Sequence, residues 1–560
     1  MTSVMKALVA GILLLGLFTG VVEIGLAEEG PPQFPESHKD FLGGASYGAL
    51  FGLNPNPVLP GPHSSDTGTG RPPRVGPNIQ VNAPQSFFPF GLIGRSETTI
   101  AASGNGNFLV SGWNDADGFC GPPFLAPCTP PPVPGLSGYG WSADGGTTWV
   151  DGGVPFVFGT PAVMTRGDPS LAVGGKGNDK FYYANLGVFV GGPLGVTAGV
   201  TVHSGSFQAN AFSWNNATLF QSPNFPNDFL DKEHIAARRR GNVDDVYVAV
   251  TNFIEVSGIP FFGFGQIEAY SSHDSAVTFG RAIVQPDETL SVPNNEGIVN
   301  QGPMPAVGPD GIVYVTWERG WLFPLPGLGA QAPQIVVASS SNGGATWTPR
   351  IVVSDICSGA LFPPGGYNRG TTNDFPRIAV AQSGPNRGRL YVAYQDCRIA
   401  NAGPQSSTGG FGHWDTDIYV AYSDDQSATW TTQLVAGGGD GKIQFWPTVS
   451  VQPGGNVDVT YYESVETATP GFLGSGPGTS LVDVFWSQSI NGGASWESPV
   501  RVTEVTTNWG ATATNIIPNF GDYNTAVSAG NRLFATWADG RNGVPDTFFA
   551  KILTIGKAPR

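Results

Sequence analysis

Charge is the scarcest feature of this 560-residue chain. Only 12% of its residues are Asp, Glu, Lys or Arg, and the balance is acidic, with a net charge of −16. So few cations on an acidic background exclude nonspecific nucleic-acid binding, which rests on clustered Lys and Arg. The run Arg238-Arg239-Arg240 stands beside a turn and reads as a solvated edge. Cysteine and methionine are also scarce, at four each. No Cys-x-x-Cys or His-Glu-x-x-His spacing occurs, so the common zinc frameworks are excluded. Long apolar runs are missing except at the start. There Lys6 precedes ALVAGILLLGLFTGVV (7–22), and Gly25-Leu26-Ala27 offers a small-x-small cleavage site. This is the pattern of an export signal over 1–27, with a retained anchor as the alternative. The expected location is therefore secreted, periplasmic or cell-surface.

What the chain has in abundance is Gly (80) and Pro (48), a turn-rich composition that disfavours helices. Residues 28–76 are rich in Pro, Gly and Ser without a sustained period and read as a flexible linker. Four cysteines in an exported chain suggest two disulfides. Cys120 pairs with Cys128 across a short Pro-rich loop, and Cys357 with Cys397 between consecutive strand-rich segments.

Over 77–556 a unit of roughly 70 residues recurs. Seven short apolar strands open the units, most of them after a carboxylate: Glu97, Asp168, Asp231, Asp374 and Asp522 among them. A second strand follows, as in VYVAV at 246, VYVTW at 313 and LYVAY at 390. A third leads into a repeated turn and a fourth leaves it. Four short antiparallel strands repeated seven times predict an all-β chain, a β-propeller with seven blades and six as the alternative. The last unit has only three strands, and Asn78-Ile79-Gln80-Val81 supplies a fourth that closes the ring.

The repeated turn reads WSADGGTTW at 141, SHDSAVTF at 272, SSNGGATW at 340, SDDQSATW at 423 and SINGGASW at 489. Unit two keeps only a decayed copy near Ser204 to Trp214. Asp144, Asp274 and Asp425 are replaced by Asn342 and Asn491 in two copies. An amide can accept the same hydrogen bonds, but it cannot act as a general base. The motif is therefore a turn lock, and Trp149, Trp347, Trp430 and Trp496 are large enough to seal the seams between blades. These copies resemble the Asp-box, or bacterial neuraminidase repeat, of sialidase-like propellers, and the resemblance spans about residues 78–555.

In such a meander the long loops between second and third strands share one face with the blade openings, and loops gathered on a rigid scaffold are where ligands bind. The candidate rim on that face comprises Asp231, Glu318, Arg319, Asp396, Arg398, Glu463, Asp522, Asp539 and Arg541. Carboxylates mixed with arginines suit glycoside chemistry, in which one acid protonates the leaving oxygen and a second group serves as nucleophile or base. The resemblance implies an arginine triad, for which Arg319, Arg398 and Arg541 are candidates. It also implies a Tyr–Glu nucleophile pair, for which Tyr462-Glu463 or Tyr523 are candidates. The family's Arg-Ile-Pro signature is absent. Arg95-Ser96-Glu97 stands near its place without matching, so no catalytic residue is carried over.

Weaker motifs are set aside. Gly44-Ala45-Ser46-Tyr47-Gly48 lacks the strand and helix of a nucleophile elbow. Asp115-Ala116-Asp117-Gly118 lacks the later ligands of a calcium loop. His234 and His413 have no ligand spacing and read as surface or satisfied histidines. No cofactor is expected, calcium being the one ion left open. The expectation is an exported propeller that recognises glycans, with or without hydrolysing them in the manner of an exo-sialidase. The alternative is a non-catalytic scaffold for an extracellular protein.

Overall fold

A computed structural model describes residues 74–554, apart from 86–92, 117–134, 156–161, 177–178, 191–195, 225–226, 256–262, 292–295, 321–332, 361–362, 370–371, 398–414, 468–479 and 515. Cys120, Cys128, Arg398 and His413 lie outside the described residues, as do the export signal and residues 28–73 of the expected linker, whereas Arg74 to Gly76 pair with the last strand.

Seven four-stranded antiparallel blades form a ring. Their first strands are Arg95–Ala102, Ala162–Gly174, Asp228–Arg240, Asn300–Val307, Arg377–Val380, Gln444–Val451 and Thr525–Ala529. Each packs against the first strand of the next blade, and the seventh packs against the first, so these seven strands line the axis. Ring closure follows the expected route. Blade seven has three strands of its own, and its fourth is Ile79–Gln80, with Ile79 opposite Phe549 and Gln80 opposite Phe548. The Val81 N–H continues the ladder to the Thr547 carbonyl at 2.8 Å. A two-stranded ribbon, Glu288–Ser291 with Glu296–Ile298, links blades three and four. Among the described residues no helix is long and apolar enough to cross a membrane.

The core is not one mass but a series of seams. The second strands are aromatic and β-branched, so both of their faces can be buried between blades. The largest cluster joins blades six and seven through Trp446, Trp486, Trp509, Phe520 and Trp537. The disulfide between Cys357 and Cys397 ties the end of blade four to the second strand of blade five, across a Cα separation of 5.0 Å.

The repeated turns lie on one face and are built alike. In the first, the Ser142 hydroxyl donates to Asp144 Oδ1 at 2.8 Å and accepts from the Gly146 N–H at 2.9 Å. Asp144 also accepts from the Thr147 and Thr148 N–H groups and from the Thr148 hydroxyl. Two consecutive residues are left-handed in every copy, as at Gly145 and Gly146 (φ 70° and 84°) and again at Gln426 and Ser427 (φ 58° and 76°). The aromatic that ends each turn reaches back to the preceding blade. Trp149 stands edge-on to Phe549 with ring centres 5.1 Å apart, and Trp347, Trp430 and Trp496 fill the equivalent seams. Blade two breaks the pattern: a tight hairpin through Ala209 and Asn210 joins its last two strands.

Candidate functional site

The opposite face gathers the first-strand starts, and a repeated irregularity aims side chains at the axis. Near its start the first strand of blades one, two, three, four and six carries a bulge, marked by register shifts at 96–99, 167–170, 231–234, 301–304 and 445–448. The first bulged residue is left-handed in each: Glu97 (φ 51°), Asp168 (56°), Lys232 (55°), Gly302 (67°) and Trp446 (47°). Only the glycine adopts this conformation freely. The other four each cost on the order of 1 kcal/mol or more, a strain that proteins retain where geometry is needed.

Three of these residues meet. Lys232 Nζ lies 2.9 Å from Asp168, 3.0 Å from Asp522 and 3.9 Å from both Glu97 and Asp231. Blades one, two, three and seven are thus joined at one ammonium. Asp522 is also gripped by Arg369 and accepts from Asn373 Nδ2 at 3.0 Å. The Tyr367 hydroxyl donates to the Gly521 carbonyl at 3.0 Å and to Asp522 at 3.3 Å. Glu97 accepts from Asn114 Nδ2 at 2.9 Å. On the blade-five side, Arg377 lies over the Tyr523 ring at 4.9 Å and reaches His234 Nε2 at 2.5 Å. The Tyr523 hydroxyl donates to the Pro169 carbonyl at 3.0 Å. Glu233 is fully buried, and neither of its carboxyl oxygens has a hydrogen-bond partner.

This environment separates the carboxyl groups. Burial, reinforced by the charges of Asp168 and Asp522, pushes Glu97 well above the usual carboxylate range. Burial also raises Glu233, and it lifts Asp231 to about 7 against the pull of Lys232. Asp522 goes the other way. Its burial is outweighed by Arg369 and Lys232, which hold the carboxyl well below its ordinary range. The Lys232 ammonium is likewise buried, but the surrounding carboxylates raise it and keep it charged. Burial and the Arg377 charge keep His234 neutral. Carboxyl groups of opposite tendency therefore share a single lysine, Glu97 pushed toward the protonated form and Asp522 toward the ionised one, an arrangement able to carry out general acid–base chemistry.

Of the rim residues expected from sequence, the structure brings Asp231 and Asp522 into this cluster. Arg398 lies outside the described residues, and the other described ones are occupied elsewhere. Arg319 is forked by Glu288, with Nη2 at 2.8 Å and Nε at 2.9 Å. Arg541 is forked by Asp539 and stacks on Phe548. Glu463 pairs with Lys442 at 2.7 Å. Asp396 accepts from the Cys357 N–H at 3.0 Å, and buried Glu318 accepts from the Asp374 N–H at 3.2 Å. Tyr462 is enclosed by Phe445, Trp446 and Trp509, whereas Tyr523 stands at the axis. His234 is a buried axial residue rather than a surface one. Among the described residues no group of three or more His, Cys, Asp or Glu could hold a metal ion.

Lys232, Arg369 and Arg377 are site residues that sequence reasoning missed, whereas Glu233 was expected among the blade-entry charges of this face. Lys232 was detectable, since it occupies the place in unit three that Glu97 and Asp168 hold in units one and two. Arg369 carries no signal, because it lies in the connection between blades four and five and outside the repeat.

No protein-family model matches the sequence, and no curated protein does. Solved structures do. A protein of unknown function from Dyadobacter fermentans is 15% identical with a TM-score of 0.39, over 71% of this chain and 96% of that one. Trypanosoma rangeli sialidase in complex with sialic acid is 12% identical with a TM-score of 0.38, over 81% and 70%. An α-L-arabinofuranosidase from Fusarium graminearum, solved with an iminosugar inhibitor, is 10% identical with a TM-score of 0.39, over 86% and 98%.

Proposed function

We propose that this chain is an exported propeller with Asp-box turns that recognises glycans on its long-loop face and hydrolyses a glycosidic bond at the axis. The observation that carries this reading is the carboxyl pair at Lys232, with Asp522 3.0 Å and Glu97 3.9 Å from the ammonium; burial raises the pKa of Glu97, whereas Arg369 and Lys232 lower that of Asp522. Glycoside hydrolysis needs such a pair, one carboxylic acid to protonate the leaving oxygen and one carboxylate to act as nucleophile or base. Glu97 is the acid and Asp522 the carboxylate. Lys232 positions both, and the strained bulge residues fix its reach. The forks of Arg319, Arg369 and Arg541 are taken by the chain's own Glu288, Asp522 and Asp539. That favours a neutral glycan over an anionic one. One observation favours the non-catalytic form of the reading: Glu97 and Asp522 are each only 1% exposed, so the cluster also serves as a knot that closes the ring.

The test is a panel of aryl glycosides, sialosides included, with a glycan array beside it. Hydrolysis is expected from the wild type. Asp522→Asn and Glu97→Gln should each lower turnover by about a hundredfold or more while array binding persists, because general acid–base groups contribute on this scale. Array binding without hydrolysis leaves a lectin. Neither signal from the folded wild type removes the glycan reading.

A further inference from the structure

A cavity of about 760 Å³ opens on the turn face, away from the axis. Three blades wall it, with Phe108 from the first, Lys176, Lys180 and Phe207 from the second, and Arg239 and Val277 from the third. It adjoins the one described blade junction where the Ser-x-Asp turn is replaced by the Ala209-Asn210 hairpin. That replacement puts amide side chains, Gln208, Asn215 and Asn216, on the cavity wall.

The charge of the cavity is out of character. The chain carries −16 overall, yet three cations line the cavity against one carboxylate, Asp179. Arg239 leans on buried Asp244 at 3.6 Å and keeps a third of its side chain in solvent. Lys176 and Lys180 have no ion-pair partner among the described residues. Lys180 is half-buried over the Tyr182 ring at 5.3 Å, and burial lowers its pKa, a cost that a bound anion would relieve. Phe108 and Phe207, stacked with ring centres 4.4 Å apart, supply an apolar wall. Cations, an aromatic wall and exposed amides together match a ligand bearing acid groups, an apolar ring face and hydroxyls. A sugar acid has all three.

We propose that this cavity is a second binding site, separate from the axial one, for an acidic oligosaccharide of a few residues. Lys176, Lys180 and Arg239 take its acid groups, Phe108 and Phe207 pack on a sugar face, and Gln208, Asn215 and Asn216 meet hydroxyls. The volume lies within the range of small-ligand sites. The two sites stand independently, since no residue is shared.

Calorimetric titration of the full chain with tetragalacturonate, neutral tetragalactose and a tetraglutamate peptide tests this. Tetragalacturonate should bind at least about tenfold more tightly than either of the others, and binding should weaken as salt is raised. The Lys176→Ala and Lys180→Ala double variant should lose about tenfold or more in affinity, whereas Asp522→Asn at the axis should leave it unchanged. If the double variant melts early, Lys176→Ala alone, at an exposed position, supplies the comparison. Absence of tetragalacturonate binding overturns the proposal. So does equal binding of either other probe, or an affinity that the lysine changes do not move.

Discussion

Carboxylates on the two faces of this ring obey opposite rules. On the turn face Asp144 and Asp274 stand largely in water, and a small burial cost is outweighed by hydrogen bonds from their own turns, which hold both at about 2. Every donor comes from within four residues. At the axis Glu97, Asp168, Asp231 and Asp522 come from four blades and are buried around a lysine. There desolvation dominates, and charge survives only where cations outweigh it, as Arg369 and Lys232 do at Asp522. A short-range device satisfies a carboxylate wherever it is copied. A long-range one exists only once the ring has closed.

The largest effect should come from removing the axial ammonium. Lys232→Met leaves Asp168 without its 2.9 Å partner and Asp522 with Arg369 as its one remaining ion-pair partner among the described residues. Breaking a buried ion pair on one side costs about 3–5 kcal/mol. Denaturant unfolding should show a loss of that size, partly restored by adding Asp168→Asn, which removes the stranded charge. A loss below about 1 kcal/mol would mean that the cluster does not hold the ring.

Next in size is the seam. Trp149→Ala removes an aromatic that touches Phe549 across the closure between blades one and seven. Trp149 is only half-buried, so the low end of the range for such losses applies, about 3 kcal/mol. The same change at Trp430, which fills the seam between blades four and five, should cost a similar amount.

The two faces should also respond oppositely to pH. Asp231 is lifted to about 7 and Asp374 to about 6, both above the unfolded value near 3.9. A carboxyl raised in this way contributes stability that is full below the unfolded value and is lost as pH rises through the folded one. The fold should therefore weaken between about pH 4 and pH 7, and Asp231→Asn should flatten that slope. Chemical denaturation at pH 5 and pH 8 measures it. An unchanged slope in the variant would show that Asp231 does not titrate in this window.

Much of this architecture was legible in sequence because it is local. Alternation in runs such as VYVAV and LYVAY marks strands, and the five turn copies mark blade spacing. The missing strand of the last unit pointed to Ile79. The axial site was only half legible. Glu97, Asp168, Asp231 and Asp522 stood out as carboxylates at blade openings, but the left-handed bulge that turns Lys232 inward leaves no mark in composition. Arg319 looked free because its partner is distant in sequence, Glu288 lying 31 residues away, whereas Arg541 is taken by Asp539 only two residues before it. Side-chain pairing across a ring is set by closure, and periodicity does not report it.

The smallest expected effect belongs to the turn itself and isolates the short-range rule. Asp144 accepts the Thr148 hydroxyl at 2.6 Å, whereas Asn342 donates its amide to the Thr346 hydroxyl at 2.8 Å. The hydroxyl reverses its role, and one backbone N–H bond is kept: Thr148 N–H reaches Asp144 at 3.0 Å and Thr346 N–H reaches Asn342 at 3.0 Å, while the Thr147 N–H bond to Asp144 at 2.9 Å is additional. An amide therefore fits the turn. Asp144→Asn should change stability at pH 7 by less than about 0.5 kcal/mol, whereas Asp144→Ala, which strands those N–H groups, should cost about 1 kcal/mol. The pH response separates the two chemistries. The folded pKa of Asp144 is lowered to about 2, so its contribution is full above the unfolded value near 3.9 and is lost as pH falls toward 2. Asn has no such dependence. Melting curves should nearly coincide at pH 7 and diverge below about pH 4, with the Asn variant losing less. If instead the Asn variant is much weaker at pH 7, the turn needs the charge itself and Asn342 and Asn491 must be compensated elsewhere in their blades.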